Sequence, residues 1–365
     1  MRTQWWICAL AACGGSTAPA PDGGGGSDAP PPPGRLVAYV SGGTDIAWYE
    51  VDRATGALAP AGSVPAFQTG ANFLAVHGTA LYAVTSGDRV GAYAIDAATG
   101  ALTFRNDVST GGSGPAHVSV DATGGTVFVA NYNQGNVSVF PVGGDGTLGD
   151  ATQTLASGAN AHLIAADPSN HFVFVPCLGA DHVAQYLFDA SARSLTANAV
   201  AALPTANGAG PRHLAFAPDG VHAYLIDETD STLSALALDG ATGRLSMLQT
   251  VTTRAAGASG NNTTAEVIVH PSGKFVYGSN RGDDNIVVFA IDATSGMVSL
   301  VDHTSTQGMT PRSFAIDPTG AFLYAANQNS GTVVPFAIDS ATGRLTPTAA
   351  PITADTPQFV GVFGF

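Results

Sequence analysis

One short phrase recurs seven times along the chain, and its spacing constrains the fold more than any other feature. An apolar run ends in Asp, and a turn of the type Thr-Gly-x-Leu follows. The phrase reads Thr55-Gly56-Ala57-Leu58, Thr99-Gly100-Ala101-Leu102 and Asp145-Gly146-Thr147-Leu148, and weakens to Arg193-Ser194-Leu195. It returns as Thr242-Gly243-Arg244-Leu245, Ser295-Gly296-Met297-Val298 and Thr342-Gly343-Arg344-Leu345. The interval runs from 44 residues between Gly56 and Gly100 to 53 between Gly243 and Gly296. A period of about 45 residues, filled with short strands and Gly-rich turns, is that of a β-propeller, in which each repeat is one small sheet. The expected fold is therefore all-β: a seven-bladed β-propeller with four antiparallel strands per blade, one closed body over residues 35–365.

The rest of the composition agrees. Hydrophobic residues make up 45% of the chain and charged ones only 11%, with Gly 45 and Pro 22 to supply turns. Val, Ile, Thr, Phe and Tyr alternate with small residues in short runs, and no long segment carries the 3.6-residue period of a helix. The net charge is −14 and Lys274 is the sole lysine. Such a chain lacks the basic face that nucleic acid requires. Cys177 is the one cysteine of the repeat region, so no disulfide forms within it; it reads as a small strand-end hydrophobe.

The N-terminus reads as a processing segment. Arg2 precedes an apolar stretch from Trp5 to Ala12, too short to span a bilayer. Leu10-Ala11-Ala12-Cys13-Gly14 resembles a bacterial lipobox, with Cys13 as the lipidated residue of a signal peptide over residues 1–13. Residues 14–34, with Gly23 to Gly26 and Pro30 to Pro33, read as a flexible tether. The expectation is an exported lipoprotein, periplasmic or at the cell surface, that touches a membrane only through its lipid and is otherwise a monomer; a misassigned start would leave it cytoplasmic.

Each repeat parses into strands. In the fifth, Pro211 to Phe216 is an inner strand, Pro218-Asp219-Gly220 a turn, and His222 to Ile226 a second strand. Thr232 to Leu238 is a third strand and Leu245 to Val251 an outer one. The two ends are incomplete. Residues 35–64 hold only the later strands of a unit, and Pro357 to Phe363 holds only a first strand. Joined, they make a whole blade, so the C-terminal strand is expected to pair beside Leu36 to Val40 and close the ring.

Aligning the repeats gives columns. The third position of the inner strand reads Phe73, His117, His162, His213, Glu266, Ser313, Phe359; the second reads Asn72, Ala116, Ala161, Arg212, Ala265, Arg312, Gln358. The end of the second strand reads Ser41, Ser86, Tyr132, Leu178, Glu228, Arg281, Gln328. Antiparallel pairing brings these columns to one rim of the central channel. The rim then gathers His162, Arg212, His213, Glu228, Glu266, Arg281 and Arg312, with His117 in the same column. A carboxylate between two guanidiniums, with a histidine one blade away, is an anion site with a proton carrier.

These stretches resemble the lactonase family of seven-bladed propellers, which includes bacterial 6-phosphogluconolactonases and the fungal 3-carboxy-cis,cis-muconate lactonizing enzyme. The resemblance lies in Gly210-Pro211-Arg212-His213 to Glu228, Ala265-Glu266 to Ser279-Asn280-Arg281, and Ala161-His162 to Val175-Pro176, and covers nearly all of residues 35–365. It implies a catalytic set of His162, Arg212, Glu228 and Arg281. The chain departs from the family in a shortened loop at Ser86-Gly87-Asp88 and in Leu163 after the histidine. The implied reaction opens, or closes, a lactone bearing a carboxylate or phosphate, with no cofactor and no metal. Arg212 and Arg281 hold the acidic group and the developing oxyanion; His213, Arg312, Glu266 and His117 are further substrate-binding candidates. A carboxylate between two arginines is a weak base, so His162 is the expected acid–base and Glu228 orients Arg212 or the attacking water. The competing reading is a non-catalytic, surface-anchored scaffold in which these charges clasp neighbouring blades. Arg281-Gly282-Asp283 spells an adhesion tripeptide by coincidence, and Asp227-Glu228-Thr229-Asp230 is a lone acidic turn. The absence of a Gly-x-Ser-x-Gly elbow argues against a serine hydrolase.

Overall fold

The computed structural model describes residues 34–68 and 70–365. The expected signal peptide, the expected lipobox with Cys13 and all of the expected tether except Gly34 lie outside the described residues. The described chain forms seven antiparallel sheets in succession, their inner strands lining the centre. Pro211–Phe216, His222–Asp227, Thr232–Asp239 and Arg244–Thr252 make the fifth blade, within a residue or two of the sequence boundaries. In the seventh blade the outer edge is split into Leu345–Pro347 and Ile352–Thr353, both pairing with Thr332–Ile338. The intervening residues include Pro351, which has no N–H for a ladder.

The ring closes as expected. Phe359–Gly364 pairs antiparallel with Leu36–Ser41, from Leu36 opposite Gly364 to Ser41 opposite Phe359. This register corrects one column. Phe359 faces Ser41, whereas His213 faces Ile226. Ser41 therefore stands at the level of Ile226, and the residues level with Asp227 and Glu228 are Gly42 and Gly43. The cause is a tighter turn in the first blade, which returns to its third strand two residues sooner.

The core is distributed between blades. Seven apolar clusters occur among the described residues, each shared by two neighbours. One joins Tyr277 of the sixth blade to the seventh, another joins Phe289 of the sixth to the fifth, and a third packs Phe322 and Tyr324 of the seventh blade against Leu36, Ala38 and Tyr49 of the first. Each fully buried aromatic or branched side chain contributes about 1.5–3 kcal/mol.

The recurring phrase has a structural cause. Asp52 accepts hydrogen bonds from the N–H groups of Ala54 and Thr55, and Asp96, Asp239, Asp292 and Asp339 cap their turns likewise. The glycine then takes φ near +70°, a region open to it because it lacks a Cβ. Its carbonyl is presented to the preceding blade, where a tyrosine hydroxyl donates to it: Tyr39 to Gly100, Tyr224 to Gly296 and Tyr277 to Gly343, at 2.8–3.0 Å.

Candidate active site

The inner strands are not regular where the candidate residues sit. In the fifth blade Pro211 pairs with Asp227 but His213 pairs with Ile226, so Arg212 is the extra residue of a β-bulge. The same shift places Arg312 in a bulge between Pro311 and Ser313, and Asn72 between Ala71 and Phe73. A bulge re-aims side chains that a flat ladder would bury in the sheet. His162 departs from expectation in another way. The inner ladder of its blade begins only at Ala165, and His162 keeps a single bond, its N–H donating to the Pro176 carbonyl at 2.9 Å. Pro176 occupies the place of Ile226 and has no N–H to return, so the ladder opens beside the histidine.

One cavity of about 440 Å³ opens at this rim, a size suited to a small metabolite. His162, Arg212, His213, Glu228, Glu266, Arg281 and Arg312 all line it. His117 does not. Its ring lies behind that wall, 4.2 Å from Phe73 and 5.6 Å from His213 between ring centres, and its Nδ1 accepts a long contact from the Ile164 N–H. Tyr132, Asn72 and Gln358 also line the cavity and were not singled out from the sequence. The signal was present: Tyr132 shares a column with Glu228 and Arg281, and Asn72 and Gln358 share one with Arg212 and Arg312. Their neutrality hid them.

The charged groups interlock across blades. Glu228 lies 2.9 Å from Nε of Arg212 and 2.7 Å from Nη2 of Arg281 in the next blade. The Arg212 Nε–H is close but poorly aligned, so that contact is chiefly electrostatic. Arg212 Nη1 donates to the Ala265 carbonyl at 2.6 Å. Burial acts to raise the Glu228 pKa, but the two guanidiniums outweigh it and hold the carboxyl below its ordinary value. Burial, then the neighbouring Arg312, pushes Arg212 down to about 9, so it stays charged at neutral pH.

The histidines are electrically different. Burial, reinforced by Arg212 and His213, holds His162 well below its ordinary pKa, so its imidazole is neutral; its Nδ1 is buried without a partner. His213 is likewise depressed, by burial and then by Arg212 and Arg312. Its Nδ1 lies 2.7 Å from Glu266 Oε1, which also accepts the Val267 N–H. Burial raises Glu266 to about 7. Above that pH the carboxylate can only accept, so His213 carries its proton on Nδ1 and Nε2 is bare. The ring centres of His162 and His213 are 5.1 Å apart. The arrangement can bind an oxyanion and accept a proton beside it.

Cys177 and the tripeptide at 281–283 both take structural places. Cys177 is fully buried, and burial pushes its thiol up to about 12, which fits a packed hydrophobe. In the tripeptide 281–283, Arg281 is engaged by Glu228, and Asp283 is held by Arg254 at 2.7 Å, so neither is presented for adhesion.

Comparison with known proteins follows the same lines. The family described as lactonase, seven-bladed beta-propeller, matches residues 36–362. The 6-phosphogluconolactonase of Pectobacterium carotovorum is 36% identical over 202 residues, 55% of this chain and 60% of that protein. The Bacillus subtilis 6-phosphogluconolactonase is 33% identical over 222 residues, 58% and 62% of the respective chains. The chain thus matches about three fifths of the length of these curated relatives. Among solved structures, the periplasmic gluconolactonase of Pseudomonas aeruginosa superposes with a TM-score of 0.83 at 31% identity, covering 90% of this chain and 99% of that one. A putative 6-phosphogluconolactonase from Bacteroides fragilis gives 0.82 at 28%, covering 90% and 98%. With the family matched across the whole ring, and a propeller of seven such blades on the page, this chain belongs to the lactonase family of seven-bladed β-propellers.

Proposed function

We propose that the protein hydrolyses a small lactone that carries an acidic group. The observation that carries this reading is the cavity in which a neutral histidine, His162, faces the same space as the Arg212–Glu228–Arg281 ion-pair chain. A water bound there gives a proton to His162 as its oxygen adds to the lactone carbonyl. The carbonyl oxygen becomes an oxyanion, which Arg281 and Arg212 stabilise. The ring C–O bond then breaks, and the leaving alkoxide takes the proton back from His162, giving the open hydroxy acid. Glu228 stays ionised and holds the two guanidiniums in place. Glu266 fixes the ring of His213 in the cavity wall, and His117 supports it from behind.

The test is a panel of sugar-acid lactones with acid release followed by a pH indicator. His162→Ala is expected to lower kcat about 10²–10⁴-fold while KM changes little. If Glu228→Gln damages kcat more than His162→Ala does, the roles are reversed. Similarity to a periplasmic gluconolactonase supports export of this chain as well, and we assign lipidation to Cys13; labelling with a radioactive fatty acid, lost in Cys13→Ser, tests it.

A further inference from the structure

Three guanidiniums line the cavity, and they are not equivalent. Arg212 and Arg281 share Glu228, and Arg212 also donates to the carbonyl of Ala265. Arg312 makes no hydrogen bond and no ion pair with any described residue. An arginine that merely clasped two blades would bond the neighbouring backbone, as Arg212 does. Arg312 is instead partly buried, placed in a β-bulge, and faces the cavity. Its guanidinium is disfavoured there by burial and by the nearby charge of Arg281. Within the cavity three cations stand against Glu228 and against Glu266, which is half neutralised near pH 7. The region is therefore electropositive in a chain of net charge −14. A partly buried cation without a counterion is costly, and the cost is relieved when an anion arrives from outside.

We infer that Arg312 is the docking point for an oxyanion, carboxylate or phosphate, that the substrate carries apart from its lactone carbonyl, and that this residue sets the preference for acidic over neutral lactones. The inference rests on the lactonase reading of the site. The two-arginine pair serves the reacting carbonyl, and Arg312 serves the tail. Arg312 is thus a specificity residue whose removal acts on binding of the charged group.

The experiment compares wild type, Arg312→Met and Arg312→Lys on three lactones: neutral glucono-δ-lactone, a glucaric acid lactone with a free carboxylate, and 6-phosphoglucono-δ-lactone. Calorimetric binding of the open acids gluconate, glucarate and 6-phosphogluconate accompanies the kinetics. Arg312→Met is expected to raise KM for the preferred acidic lactone about 10- to 100-fold, the value of one charged hydrogen-bonded contact, with a much smaller change for the neutral one. Arg312→Lys restores part of the preference. Comparing glucarate with 6-phosphogluconate identifies which oxyanion the site takes. Equal losses on neutral and acidic probes, or unchanged affinity for both acidic products, overturn the inference. Should wild type turn over none of the lactones yet bind an acidic product through Arg312, the subsite stands and the hydrolase reading falls.

Discussion

Asp227 stands where the third, sixth and seventh blades carry asparagine. In those blades the side-chain amide of Asn131, Asn280 or Asn327 donates to the carbonyl of Thr110, Thr253 or Thr306, at 2.9–3.2 Å. Asp227 has no such donor when ionised. One oxygen accepts from Thr232 and Ser234, and the other is buried without a partner. Burial, then the nearby Asp230, raises its pKa from 3.8 to about 7. The sign follows: the folded state holds this proton more tightly than the unfolded chain does. Stability from this group is complete below about pH 4, declines as pH rises, and is lost above about 7. Asp227→Asn supplies the missing amide. It is expected to stabilise the protein by roughly 1–3 kcal/mol at pH 8, with the gain shrinking toward pH 4, in denaturant melts at both pH values. A gain independent of pH would mean that the carboxylate is ionised throughout.

At the scale of the element, the unit that matters is a turn and the strand next door. The Asp-capped Thr-Gly turn fixes its own shape locally and then offers a carbonyl to a tyrosine of the preceding blade. Tyr277→Phe leaves the Gly343 carbonyl without this partner and is expected to cost about 1 kcal/mol in a thermal melt. Gly343→Ala should cost more. Its φ of +74° disfavours a side chain, and the new Cβ would stand 2.6 Å from the Phe275 ring. Should Gly343→Ala prove the milder change, local turn strain is not what selects glycine in the phrase. The bulges belong to this scale too. They carry Arg212 and Arg312 into the cavity, and no residue type in those strands announces them.

The whole molecule depends on closing a circle from two chain ends. The closing strand covers the first blade's inner edge and buries Phe359, Val360 and Val362 in the clusters on either side. Deleting residues 357–365 removes these and exposes a free sheet edge. Three buried apolar side chains are worth roughly 5–9 kcal/mol, so the melting temperature is expected to fall by more than about 10 °C. An unchanged melt would refute the view that closure holds the ring together. The seam between the seventh and first blades has a further weakness: the hydroxyl of Tyr324, unlike those of Tyr224 and Tyr277, is buried without a partner.

The amino-acid sequence by itself determined the blade count, the strand direction and the rim to which each column comes, because a repeat of constant length places equivalent residues at equivalent heights. That sufficed to bring His162, Arg212, Glu228 and Arg281 together on paper. It misjudged the first blade, where a shorter turn breaks the constancy, and it overlooked Tyr132, a neutral residue that lines the cavity. Only the tertiary structure decided which arginines are compensated and which is left free, and that His117 stands behind the wall. The pairing of the arginines turns on contacts of 2.6–2.9 Å, between Arg212 and Glu228 within the fifth blade and from these to Arg281 and the Ala265 carbonyl of the sixth. Such distances are set by bulges and by the closure of the ring, and height along a strand carries no information about them.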